Sequence, residues 1–189
     1  MLSEDYIKDA IRHFRSLKWL AEKSLAQVTD EHFFTLLDDE SNSIALMMKH
    51  IAGNMHSRWK DFLTTDGEKP DRNRDSEFVV ERDDTKESLL AFWESGWQCL
   101  FDAIEPLEPD DLGKTVLIRG EPHLVVEAIN RQLSHYSYHV GQIVFLAKHF
   151  ASRNWESLSI PRGKSAEMNA SEGKKRGQAW LSAESEEEK

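Results

Sequence analysis

The chain has 189 residues, with 24 Lys and Arg against 34 Asp and Glu, a formal net charge of -10. That length accommodates one domain, or one domain with a tail. The acidic balance excludes nucleic acid and an anionic membrane surface as the main partner. A single cysteine, Cys99, excludes an intramolecular disulfide and points to a reducing cytoplasm. No apolar run approaches the roughly 20 residues that span a bilayer, so no membrane partner is expected. The opening Met1-Leu2-Ser3-Glu4-Asp5-Tyr6 is acidic and then amphipathic, unlike a signal peptide.

Four segments show helical period. The first runs from about Ser3 to Val28, with Ser3 as N-cap and Ile7, Ala10, Ile11, Phe14, Leu17, Ala21 and Leu25 recurring at three and four. The second runs from about Asn42 to Leu63, with Ile44, Met47, Met48, Ile51, Met55, Trp59 and Phe62 on one face. About twenty residues, Thr64 to Asp84, follow it; a connection this long crosses the fold or carries function. The third helix runs from about Thr85 to Ile104, with Leu89, Phe92, Trp93, Trp97, Leu100 and Ile104 inward. Lys114 to Ile118, a turn at Gly120, and His123-Leu124 could form a small hairpin. The fourth helix is predicted from about Pro122, in its first turn, to Phe150. Beyond Phe150 the apolar period fails, and a polar tail ends Glu186-Glu187-Glu188-Lys189, with Trp180-Leu181 its one apolar anchor. Four long amphipathic helices with little strand predict an all-α four-helix bundle over residues 1–160, followed by a polar tail over 161–189. A long crossover after the second helix would let the third run parallel to it.

The chemistry concentrates in histidines. His135 and His139 are four apart in Leu133-Ser134-His135-Tyr136-Ser137-Tyr138-His139-Val140-Gly141-Gln142, the only His-x-x-x-His in the chain. On a helix that spacing turns the second side chain by only about 40° from the first and lifts it by one turn. Two imidazoles close to an apolar face must find partners or a metal. His50 lies on a different helix between Met48 and Ile51, and bundles build metal sites from facing helices. Three His with an open further position is the ligand count of a catalytic transition-metal site. Asn54, one turn beyond His50, is a candidate to orient a ligand or bound water.

His13, His32, His56, His123 and His149 read as ordinary, and Cys99 as a small buried or half-buried residue rather than a nucleophile. A di-iron carboxylate bundle needs Glu-x-x-His, and none of the eight His has Glu three residues before it. Tyr136 occupies the position that a thermolysin-like His-Glu-x-x-His would give to Glu.

The segment Lys49-His50-Ile51-Ala52-Gly53-Asn54 continues through Arg58-Trp59 and Asp61-Phe62-Leu63-Thr64-Thr65-Asp66-Gly67-Glu68-Lys69-Pro70. Together with His135-x-x-x-His139-Val140-Gly141-Gln142-Ile143 and Ile160-Pro161-Arg162-Gly163-Lys164-Ser165, it resembles the DinB-like (damage-inducible, YfiT-type) metalloprotein superfamily, in an uncharacterised bacterial branch. The resemblance covers roughly residues 1 to 160. It implies an up-down-down-up bundle, a divalent metal, zinc or nickel, on His50, His135 and His139, and a homodimer. It also implies, for some relatives, a metal-dependent transferase that activates a small thiol. A metal-dependent hydrolase and a non-catalytic metal- or ligand-binding protein are the alternatives.

Overall fold

The structure is a computed structural model that describes residues 2–170. It is mostly helical, with six α-helices and one two-stranded sheet among the described residues. In chain order these are α1 (Leu2–Leu25), α2 (Asp30–Phe34), α3 (Ile44–Trp59), α4 (Lys86–Ile104), β1 (Thr115–Ile118), β2 (Glu121–Leu124), α5 (Val125–Ala151) and α6 (Ser165–Ala170). The four long helices are those predicted from the apolar period. Their starts are set by local chemistry. The Ser43 hydroxyl accepts from Leu46 N–H ahead of α3, and Thr85 and Ser88 form a reciprocal capping box ahead of α4.

The structure adds one element and corrects one expectation. The dozen residues between the first two long helices contain a further short helix, α2, capped by Thr29. Pro122 does not start the last helix: it lies in β2 opposite Leu117, and α5 begins at Val125. The hairpin prevails there because Arg119 and Gly120 both adopt left-handed backbone (φ 59° and 76°), the geometry of a two-residue hairpin turn. The carboxylate of Asp66 then accepts from both turn N–H groups, at 2.8 and 2.6 Å. The first residues of the polar tail include α6; Trp180-Leu181 lie outside the described residues.

α3 is the central element. It packs on α4 and on α5, while α1 packs on α5 and α4. Each long helix sends one aromatic side chain to a common point: Phe14, Trp59, Trp97 and Tyr136 meet with ring centroids 5.9 to 6.5 Å apart. Gly96 lets α4 approach α3 closely, since a Cβ there would lie 3.1 Å from Ala52 Cα. No helix among the described residues is long and apolar enough to cross a membrane.

The long connection from α3 to α4 is tied down rather than free. Gly67 N–H donates to Leu117 of β1, and its carbonyl accepts from Ser57 and Arg58 of α3. The connection then forms a 3-10 turn, Asp75–Phe78, against α3. That turn completes the site described next.

Candidate metal centre

His50 projects from the middle of α3, and His135 and His139 from successive turns of α5. All three predicted residues come together. One ring nitrogen from each lies within 4.8 Å of the other two. The Nε2 atoms of His50 and His135 are 3.3 Å apart, and Nε2 of His139 is buried without a hydrogen-bond partner. His50 and His139 are buried and His135 half-buried.

Oxygen atoms hold the other side of each ring. His50 Nδ1 meets Glu77 Oε2 at 2.7 Å, His139 Nδ1 meets Gln142 Oε1 at 2.9 Å, and His135 Nδ1 meets Gln132 Oε1 at 3.4 Å. A carboxylate can only accept, so Nδ1 of His50 carries the proton and Nε2 keeps its lone pair. The amide oxygens favour the same tautomer in the other two rings. Three Nε2 lone pairs therefore face one small space, an arrangement that a cation relieves and that neutral packing does not. This donor set suits a divalent transition metal.

Glu77 is buried, and Arg72 makes it tolerable there. The Arg72 guanidinium donates through Nε to Oε1 at 2.7 Å and through a terminal nitrogen to Oε2 at 2.8 Å. Glu68 links Arg72 in turn to Arg58 of α3 and Arg119 of the hairpin. Burial pushes the Glu77 carboxyl up, but the hydrogen bonds from His50 and Arg72 prevail and hold it below its ordinary range. His135 and His139 are lowered too, but there burial is the leading cause. Burial, then His139 and His50, lower His135 to about 3. Burial lowers His139 to about 4, against the opposing hydrogen bond to Gln142. Both rings are thus neutral at pH 7, the form that binds metal.

Asn54 faces elsewhere. Its carboxamide oxygen accepts from Tyr136 Oη at 3.0 Å, and that hydroxyl accepts from Trp59 Nε1 at 3.1 Å. Glu77, Gln132 and Gln142 fill the orienting role proposed for it. Glu127, one turn beyond His123, accepts from the Leu124 N–H at the start of α5. His56 stacks on Phe92 and His32 on Phe150. Burial pushes the Cys99 thiol up, opposite to an activated nucleophile.

The family comparison agrees in extent with the folded region. A family model described as "Protein of unknown function (DUF1572)" matches residues 1–164. The chain belongs to the DUF1572 family. Neither the curated proteins nor the solved structures contain a significant match to it. Within this DUF1572 member, Glu77 is the residue that spacing alone could not find, because it lies 27 positions from its partner. The unusual length of the connection hinted that it carries function, without naming Glu77; Gly53, one turn beyond His50, gains its meaning from the structure. A Cβ at Gly53 would lie 2.5 Å from Glu77 Oε1, so the glycine makes room for the carboxylate.

Proposed function

We propose that His50, His135 and His139 bind one divalent metal ion, zinc or nickel, and that the protein is a metal-dependent transferase acting on a small thiol. The convergence of three Nε2 atoms, each ring backed by an oxygen acceptor, carries this reading. A bound divalent ion supplies Lewis acidity that holds a thiol as thiolate near neutral pH. The chain's own part is to present three imidazole donors, leave coordination positions for the substrate, and keep Glu77 ionised behind His50. The hydrolase alternative needs a general base. The buried carboxylate nearest the cluster, Glu77, is already engaged by His50 and Arg72, which favours thiol chemistry over water activation.

The same reading places the chain in the DinB-like superfamily, as an up-down-down-up four-helix bundle over residues 1–160 with a polar segment over 161–189. It also takes the protein to be a cytoplasmic homodimer. Metal analysis of the purified full chain tests the centre: wild type retains about one ion per chain, and His50→Ala, His135→Ala and His139→Ala each lose it. Unchanged metal content in all three variants refutes the site. Thiol consumption by the metal-loaded protein, across a panel of electrophiles, tests the reaction.

A further inference from the structure

The turn that sends Glu77 inward also presents an exposed cation next to the cluster. Arg74 immediately precedes the turn Asp75–Phe78, and its guanidinium carbon lies 4.8 Å from the centre of the Phe78 ring. Phe78 packs on His50 with ring centroids 4.7 Å apart. From α5, Tyr138 packs at a tilt on His139, with ring centroids 4.1 Å apart, and approaches His135 at 5.4 Å; it is 55% exposed. Phe78 thus covers the His50 ring and Tyr138 the rings of His135 and His139, with Arg74 over Phe78.

The neighbouring cations are neutralised. Arg58 and Arg72 pair with Glu68 and Glu77, and Lys49 with Asp84. Arg74 is exposed and makes no ion pair among the described residues. In a chain of net charge -10, a cation left unpaired beside the candidate centre is aimed at something other than the protein's own carboxylates.

We infer that Arg74 selects an anionic substrate for the three-His centre: a small thiol bearing a carboxylate, whose charged end pairs with the guanidinium while its apolar part lies between Phe78 and Tyr138. This inference rests on the thiol reading given above and adds the substrate's charge to it. Arg74 acts here as a specificity residue, and the planar guanidinium offers a carboxylate two parallel hydrogen bonds.

The test uses the full chain loaded with cobalt(II), whose thiolate charge-transfer band reports thiol binding directly. Mercaptoacetate and mercaptoethanol are titrated into wild type, Arg74→Gln, Arg74→Lys and, as an exposed control, Arg82→Gln. The preference for mercaptoacetate over mercaptoethanol falls about threefold in Arg74→Gln, the size of a partly exposed ion pair. It is largely kept in Arg74→Lys and unchanged in Arg82→Gln, and it shrinks with added salt. If cobalt binds and both thiols give the band, but the preference is the same in wild type and Arg74→Gln, the inference is overturned and the thiol reading stands. If cobalt binds and neither thiol gives a band, the thiol reading itself fails and takes the inference with it.

Discussion

The Glu77 carboxylate accepts a hydrogen bond from His50 Nδ1 at 2.7 Å while two nitrogens of Arg72 grip its two oxygens. This one contact joins the loop between α3 and α4 to the candidate metal centre. It fixes the His50 tautomer, makes its Nε2 a better donor, and depends on a counter-charge from five residues earlier in the same loop.

Replacing Glu77 should therefore act on metal and fold separately. Glu77→Gln keeps the shape and an acceptor oxygen but loses the charge. Metal affinity is expected to drop about 10- to 100-fold, the usual cost of removing such a partner. Glu77→Ala also leaves Arg72 buried with only the distant edge of Glu68 (3.5 Å), and should destabilise the fold by about 3–5 kcal/mol. Competition with a chromophoric chelator measures the first effect and urea denaturation the second. Equal metal affinity in wild type and Glu77→Gln would show that His50 is oriented by packing alone.

The glycines give opposite expectations at chemically identical substitutions. Gly53→Ala gains helix propensity, worth up to about 1 kcal/mol, but its Cβ would meet Glu77 Oε1 at 2.5 Å and Cδ at 2.9 Å. The carboxylate is held by His50 and Arg72 and cannot move freely, so both stability and metal affinity should fall. Gly141 lies on the exposed side of α5, one residue from the ligand-backing Gln142, and a methyl added there would have nothing within 4 Å. Gly141→Ala should stabilise by about 0.5–1 kcal/mol and leave metal affinity unchanged. Thermal denaturation of the two variants, with and without chelator, separates these outcomes.

Much of this was legible in the chain itself, for a physical reason. Long helices advertise themselves through apolar period, and Ile44, Met47, Met48, Ile51, Met55, Trp59 and Phe62, assigned to one inward face, are all buried. The His pair was legible because two ligands four apart on a helix share a face whatever the tertiary structure. His50 needed the added premise that two helices face each other. Glu77 and Arg72 were not legible, since their roles depend on how an irregular connection folds back, which no local spacing encodes. Pro122 misled for a related reason: proline suits a helix's first turn and equally an edge strand, and the Arg119-Gly120 turn decides between them.

Acid should loosen the metal-free protein through its histidines before its carboxylates protonate. His135 and His139 have folded-state pKa values of about 3 and about 4, against about 6.5 in an unfolded chain. Between those values the unfolded state binds more protons than the folded one, so stability falls as pH falls through that window. Above about 6.5 both states are neutral at these positions and the contribution is complete. Urea denaturation in the presence of chelator, from pH 7 to pH 5, should show declining stability, and His135→Asn should flatten the slope. Bound metal competes with the same protons, so metal release is expected to follow the acid side of this window. A slope unaltered by His135→Asn would mean that other groups dominate the acid response.

Tyr136 distinguishes the core from the centre, although it adjoins His135 in sequence. Its hydroxyl is fully buried, donates to Asn54 Oδ1 at 3.0 Å and accepts from Trp59 Nε1 at 3.1 Å. Burial is the main reason its pKa is raised, so the phenol stays neutral and acts as a structural link between α3 and α5. Tyr136→Phe removes one oxygen and leaves two buried polar groups without that partner, at a cost of about 1–3 kcal/mol. Asn54→Ala should cost a similar amount, and the double variant less than the sum, since both act on one hydrogen bond. Metal content should be unchanged in all three, because Glu77, Gln132 and Gln142 back the three imidazoles. Loss of metal from a folded Asn54→Ala protein would instead return Asn54 to the ligand-orienting role that its position one turn from His50 first suggested.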